Sequence, residues 1–267
     1  MHFITFSREI GTKGTEIAML VAKELQYSFY DTDDIEKKAE EMGFLNDIRT
    51  VNDTVPPLLK RLFSLQPEIC LDRLNAVMYE LARMGSAVIL GRGGNMLFRS
   101  LPYALHVRVI ASQEKRINNL VERGYTREDA AIAMKKSDHE RERYIKFAFH
   151  RDWNNPELYD VVLNTDKLTV NTAADIILRA ARADEVLGRS DDAMNSLDMM
   201  ELAVRVGVAL AEAGFPANYV SAFVNAPGKV RLTGVVQVPG EKSAAERTAI
   251  KVKGVVSVEN KIKIAGR

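Results

Sequence analysis

A single cysteine, Cys70, and a single tryptophan, Trp153, are all that 267 residues contain of either type. One cysteine excludes an internal disulfide. Its neighbours Ile69 and Leu71 mark it as a small buried hydrophobe rather than a nucleophile. The four histidines show no H-x-x-x-H spacing and have no cysteine cluster beside them, which argues against a transition-metal site. An excess of either charge is lacking too. Lys+Arg 37 against Asp+Glu 36 points to neither nucleic acid nor an anionic membrane as a partner. No apolar run approaches the length of a membrane span, and the N-terminal stretch lacks the basic start and apolar core of a signal peptide; a cytoplasmic chain is the expectation. What is present is 46% hydrophobic and 27% charged residues, enough for a real core. The length predicts two domains.

The most informative stretch is the turn Ser7-Arg8-Glu9-Ile10-Gly11-Thr12-Lys13-Gly14-Thr15. Before it, His2 to Phe6 is a short β-branched and aromatic run, as in a buried strand. After it, Ile17, Leu20, Val21 and Leu25 fall at helical spacing, predicting an amphipathic helix over Thr15 to Gln26. Strand, glycine turn and helix together present unpaired N–H groups and a helix N-terminus to a phosphate. The pattern departs from G-x-x-x-x-G-K-[ST]. With Thr15 at the hydroxyl position, Gly14 stands where lysine belongs, Lys13 where glycine belongs, and Arg8 at the first glycine. A lysine one residue out of register could reach a phosphate from a changed direction or point into solvent. The bland alternative is an ordinary βα turn.

Further along, Phe29-Tyr30-Asp31-Thr32-Asp33-Asp34 reads as a strand end releasing carboxylates, where open α/β sheets place ligand groups. Asp31 could take a proton or hold a metal-bound water there, while Thr32 or Asp33 caps the next helix. Gly43 to Pro57 reads as irregular, and Leu58 to Met84 as one or two helices, a region where substrate-selecting insertions often lie. Ala87 to Leu90 is a continuous apolar run, as in a parallel strand, and exits into Gly91-Arg92-Gly93-Gly94, where the arginine could bind an anion bidentately. Leu105 to Ala111 is another strand, with His106 and Arg108 on a polar side. Ser112 and Thr126 start helices. Lys135 to Tyr144 is either a solvated face of alternating charge or a lid that folds cations over phosphates. Tyr159 to Thr165 is a final strand and Thr172 to Arg182 a closing helix. Strands and helices alternate throughout, which predicts α/β class and a three-layer parallel sheet.

Residues 1–182 resemble the cytidylate kinase-like family, a divergent branch of the P-loop nucleoside monophosphate kinases. The likeness rests on Phe6-Ser7-Arg8-Glu9-Ile10-Gly11 with Gly14, Phe29-Tyr30-Asp31, Leu90-Gly91-Arg92-Gly93, Val107 to Ala111, Arg116, Asp138-x-x-Arg141-x-x-Tyr144, Asp152-Trp153 and Tyr159-Asp160…Asn164-Thr165. It implies a nucleoside triphosphate such as ATP on the first turn, with Mg²⁺, and a monophosphate acceptor nearby. Catalysis in such enzymes is mainly positioning and charge stabilisation. The resemblance places Arg8, Gly11, Thr12, Lys13, Gly14 and Thr15 around the donor, with Thr15 touching Mg²⁺. Asp31, Arg92, Arg116 and Asp138 go to the acceptor, and Lys13, Arg92, Arg141 and Arg143 to catalysis. Cytidylate kinases carry lysine at the position of Gly14, aspartate at that of Gly93, and arginine at that of Ser137.

Ala183 to Ser196 reads as a linker. Residues 197–267 then follow the order α-β-β-α-β: a helix to Ala213, strands Tyr219 to Asn225 and Lys229 to Val238, a helix Ser243 to Val252, and a last strand Val255 to Ile264. This small α+β module resembles a BON domain, carried by Val230-x-Leu232-x-Gly234-x-Val236, Gly254-Val255-x-x-Val258 and Asn260. It brings no catalytic residue and shows no basic amphipathic surface. An interaction or sensory module for a protein or ligand is expected, with homo-oligomerisation as the alternative. The whole chain thus reads as a kinase that transfers the ATP γ-phosphoryl group to a CMP-like monophosphate. The rival is a catalytically weak nucleotide sensor; a kinase for another small molecule is the third reading.

Overall fold

The computed structural model describes residues 2–52, 67–101, 103–187, 190–217 and 219–265. They form two compact units, Met1–Ile35 with Met84–Ala193, and Glu36–Arg83 with Met194–Arg267. In chain order the first elements are β1 (Phe3–Arg8), α1 (Gly14–Leu25), β2 (Ser28–Tyr30), α2 (Thr32–Glu41), α3 (Leu45–Asn52) and α4 (Pro67–Arg83). There follow β3 (Ala87–Leu90), α5 (Gly94–Leu97), β4 (Ala104–Ile110), α6 (Gln113–Val121), α7 (Arg127–Phe149), β5 (Val161–Asn164), α8 (Val170–Ala181) and α9 (Asp184–Leu187). The last are α10 (Ser190–Glu212), β6 (Val220–Ala226), β7 (Lys229–Val236), α11 (Pro239–Ile250), β8 (Ser257–Asn260) and β9 (Lys263–Ile264).

In the first unit β1 to β5 form one sheet in the order β2-β3-β1-β4-β5, with every pair parallel. The expected parallel α/β layer is therefore present. Alternation along β1 decides what each face of the sheet carries. Ile4 and Phe6 join Val88, Leu90, Leu105, Val107 and Val109 beneath α1 and α8, whose Ile17, Val21, Ile177 and Leu178 complete an apolar core. Burying an Ile or Phe of this size contributes roughly 1.5–3 kcal/mol. The opposite residues of β1 meet a different surface. Phe3 stacks on Phe98, Thr5 bonds His106 at 2.8 Å, and Ser7 accepts from the Trp153 indole at 2.8 Å. Arg108, only 4% exposed, lies over the Trp153 ring at 3.9 Å and bonds Asn154 and Tyr159. The sheet thus has one apolar face and one buried polar face.

Leu45–Asn52 is a helix rather than the irregular segment expected. α7 runs without interruption through the charged stretch. Asp31, not Thr32 or Asp33, caps α2: its Oδ1 accepts from the N–H of Asp33 at 2.9 Å and of Asp34 at 3.3 Å. Ser112 and Thr126 cap α6 and α7 as expected. Val55 to Pro57, Leu62, Leu65 and Gly188 lie outside the described residues. Within Ala183 to Ser196, residues 184–187 and those from 190 onward are helical.

The second unit holds a mixed sheet in which β6 pairs antiparallel with β7, while β8 and β9 both run parallel to β7. The expected single last strand is broken at Lys261 and Ile262. Its core joins Leu202, Val206 and Leu210 of α10 to Val230, Leu232, Ala245 and Ala249. Arg73 of α4 pairs with Asp47 at 2.6 Å and with Glu212 at 2.7 Å, linking α3, α4 and α10. Cys70 is buried and its thiol is pushed up, first by burial and then by Asp47, consistent with an inert side chain. No helix among the described residues is long and apolar enough to cross a membrane.

Candidate phosphate-binding site

The turn after β1 has its carbonyls tied down. Thr12 Oγ1 donates to Glu9 O at 2.8 Å, Arg116 Nε to Ile10 O at 2.7 Å, Asn119 Nδ2 to Gly11 O at 2.7 Å, and Thr165 Oγ1 to Thr12 O at 3.2 Å. Lys13 O accepts from Ile17 N in the first turn of α1. Among the described residues nothing accepts from the N–H groups of Ile10, Gly11, Lys13, Thr15 or Glu16. A turn with its carbonyls anchored and its amides unspent, running into a helix N-terminus, is an anion receptor. Gly11 is needed for this shape: its φ is +84°, and a Cβ there would lie 2.7 Å from Arg116 O.

Three cations converge beside that turn. Arg8 at the end of β1, Arg92 after β3 and Arg141 of α7 line a cavity of about 60 Å³ together with Tyr144, Asn95 and Trp153. Pockets for drug-sized ligands occupy roughly 300–1,000 Å³. This one fits an ionic group rather than a nucleoside. The other two arginines perturb Arg8. Burial, followed by the charges of Arg141 and Arg92, lowers the Arg8 guanidinium to about 10, with Asp31 acting in the opposite sense. Arg141 is lowered as well, chiefly by burial. Mutually facing, desolvated cations are stabilised when an anion sits between them.

Arg92 sits in the left-handed region (φ +54°) between Gly91 (+84°) and Gly93 (+69°), and the Tyr144 hydroxyl donates to its carbonyl at 3.2 Å. A Cβ at Gly93 would fall 2.3 Å from the Phe149 ring. The aspartate that cytidylate kinases carry at this position is thus replaced here by an aromatic side chain from the end of α7. Burial pushes the Tyr144 hydroxyl up to about 12, so it stays a donor at neutral pH.

The other predicted residues separate into groups. Lys13, in a left-handed N-cap position, pairs with Glu122 at 3.1 Å, with its side chain 38% exposed and outside the arginine cavity. Arg116 and Asp138 pair with each other at 2.8 Å, while Arg116 also reaches Glu9 at 3.3 Å; both therefore brace the turn. Arg143 is exposed and, outside the arginine cavity, lines an open groove of about 730 Å³ with His139, Lys146 and His150. Thr12 is buried in the turn and Thr15 half-buried in the first turn of α1. Gly14 starts α1 against the stem of Arg8. Asp31 serves as a cap whose charge still reaches Arg8. Sequence reasoning gave no role to Glu9, which accepts from Ala111 N and faces both Arg116 and Arg108. No period marks a residue whose partners come from β4, the residue after it and α6.

A model of the cytidylate kinase-like family matches residues 3–167, which include the glycine turn, all three arginines and Trp153. The chain belongs to that family. A BON domain model matches residues 201–266. No curated protein matches this chain. Among solved structures, an uncharacterized protein from Eubacterium ventriosum is similar at 20% identity and TM-score 0.54, over 67% of this chain and 97% of that one. A shikimate kinase from Bacteroides thetaiotaomicron aligns at 9% identity and TM-score 0.42, over 68% and 99%. A deoxyadenosine kinase from M. mycoides with bound dATP aligns at 14% and 0.38, over 68% and 100%. Membership and sheet order make this cytidylate kinase-like chain a kinase-like protein with a P-loop-type fold.

Proposed function

We propose that the protein is a nucleotide-binding kinase that moves the γ-phosphoryl group of ATP to a nucleoside monophosphate, CMP-like as in the family it belongs to. The observation that carries this reading is the convergence of Arg8, Arg92 and Arg141 on a small cavity beside a turn of unspent amides. The amides of Ile10, Gly11 and Lys13 suit the donor phosphates, and the arginines suit the transferred group and the acceptor phosphate. In the transfer, the bond from the γ-phosphorus to the β–γ bridging oxygen breaks, and one to an acceptor oxygen forms. Three fixed guanidiniums oppose the charge that spreads over the equatorial oxygens.

An acceptor that is itself a phosphate fits better than a hydroxyl. A phosphate monoester has a second pKa of about 6, so its attacking oxygen is already ionised at neutral pH and needs no general base. Of the carboxylates directly at strand exits, Glu9 faces Arg108 and Arg116 and accepts from Ala111 N, and Asp31 has Oδ1 engaged with two backbone amides. Mg²⁺, which the Thr15 hydroxyl would help to hold, would supply neutralisation of phosphate charge. Among the described residues no three His, Cys, Asp or Glu side chains are grouped as metal ligands.

A second reading, a sensor that binds nucleotide with little transfer, is favoured by one observation: Lys13 is engaged by Glu122. The C-terminal BON domain is proposed as an interaction module, with homo-oligomerisation as the alternative, joined to the kinase-like domain through residues 183–196. The deciding measurement is ADP formation from ATP and Mg²⁺ with CMP, dCMP, UMP and AMP offered separately, alongside calorimetric titration of ATP. Turnover with a pyrimidine monophosphate is expected. Tight ATP binding without turnover on any acceptor would establish the sensor instead.

A further inference from the structure

We propose that positions 8 and 14 have exchanged a cation and a glycine. The phosphate-binding charge that the usual motif puts at position 14 is delivered in this chain by Arg8, whose side chain fills the space a residue-14 side chain would need. The inference deepens the nucleotide-binding reading and rests on it.

Two glycines record the path of the Arg8 side chain. A Cβ built on Gly14 would lie 2.7 Å from Arg8 Cβ and 3.1 Å from its Cγ. A Cβ built on Gly91 would lie 3.0 Å from Arg8 Nη1. The stem therefore crosses the start of α1, and the guanidinium ends over the second glycine turn, next to Arg92. Real Cβ atoms do not approach other carbons at 2.7 Å, so a lysine at position 14 and an arginine at position 8 exclude one another unless the turn moves.

The guanidinium also lacks the partners that a purely structural arginine would have. Arg108 and Arg116 are buried as well, and both meet carboxylates and carbonyls. Among the described residues, no acceptor lies within hydrogen-bonding distance of the Arg8 guanidinium, and its strongest charged neighbours are two further arginines. A half-buried cation surrounded in this way is costly in the empty protein and favourable once a phosphate arrives.

Moving the cation has a chemical consequence. A lysine at the start of α1 is a point charge on the donor turn. An arginine rooted in β1 and lying across to Gly91 offers a planar fork between the donor turn and the second turn. It is placed for the terminal phosphate of a triphosphate rather than for the inner ones. ATP should therefore depend on Arg8 more than ADP does.

Calorimetry with ATP, ADP and tripolyphosphate, each with Mg²⁺, on the full chain and on Arg8→Ala, Gly14→Lys and Arg8→Gly/Gly14→Lys, tests the exchange, with thermal melting of each protein. Arg8→Ala should weaken ATP about 10- to 100-fold, the span of one lost charge-assisted contact, and ADP by less. Gly14→Lys restores the usual lysine, yet it should lower both the melting temperature and ATP affinity. Adding Arg8→Gly should recover both. A folded Arg8→Ala protein that binds ATP as tightly as wild type overturns the exchange. So does a Gly14→Lys protein that binds more tightly than wild type with an unchanged melting temperature. If Gly14→Lys does not fold, recovery of folding in the double variant decides the point: recovery supports the exchange and its absence sinks it. Tripolyphosphate separates the two levels. A wild-type protein that binds tripolyphosphate but not ATP loses the nucleotide reading, and Arg8 is then judged on tripolyphosphate alone. One that binds neither loses both.

Discussion

The parallel sheet of the first unit and the mixed sheet of the second are both covered by amphipathic helices, but they differ in where they put charge. In the first, arginines are drawn in: Arg108 and Arg116 are buried at 4% and 5% exposure, and Arg8, Arg92 and Arg141 face one cavity. In the second, the charged pairs of the sheet are on the outside, as with Arg231 and Glu259, each 47% exposed. Parallel strands all release their C-terminal ends on one edge, so turns from several strands can aim side chains at one point. Neighbouring strands of an antiparallel pair end on opposite edges and share no such point. Buried arginines therefore gather at the strand-exit edge of the first unit, whereas in the second the sheet's charged pair is solvated and the buried Glu201 is paired with Arg205 within α10.

The largest test of that contrast is removal of two cavity cations. Arg92→Ala with Arg141→Ala should lower turnover by at least about 100-fold, by analogy with loss of electrostatic contacts in other active sites. Steady-state kinetics measures it, and near-normal rates would mean the convergence is structural. A smaller effect comes from Gly93→Asp, which restores the residue usual in cytidylate kinases. Strain at φ +69° plus the collision with Phe149 should cost about 1–3 kcal/mol, read as a drop in melting temperature. Adding Phe149→Ala should return only the steric part, so full recovery would show that the backbone is not strained. The smallest effect is expected in the second unit. Arg73→Ala breaks its pairs with Asp47 and Glu212 and should cost about 1 kcal/mol, discounted because Glu212 is half exposed. ATP affinity should stay at the wild-type value; a loss there would show that the charge contrast between the units does not separate their roles.

The family, the parallel layer and the alternation of its strands and helices were legible in the sequence because strand and helix periods are local. Ala87–Leu90, with four apolar residues between turns, could hardly be read otherwise. The helix caps at Ser112 and Thr126 were equally plain. Capping at Asp31 was misplaced by one or two residues, since three oxygen-bearing side chains in a row compete for the same amides. Lys13 was assigned to the phosphates from its place beside Gly14, but in the structure its partner is Glu122. A single left-handed residue at Lys13 turns the chain at the start of α1, and such a torsion leaves no pattern in the residue types.

What the sequence determined by itself is therefore the alternation of elements, the glycine-bearing exits of β1 and β3, and the absence of a lysine at position 14. Tertiary structure alone decided which cations serve those exits. Arg8, Arg92 and Arg141 come from three distant segments, and only the sheet order, with β1 between β3 and β4, together with the docking of α7, brings them to one cavity. Local periodicity is set by backbone geometry over a few residues. Convergence of like charges depends on packing that every element of the unit must complete, so it is decided only when the chain has folded.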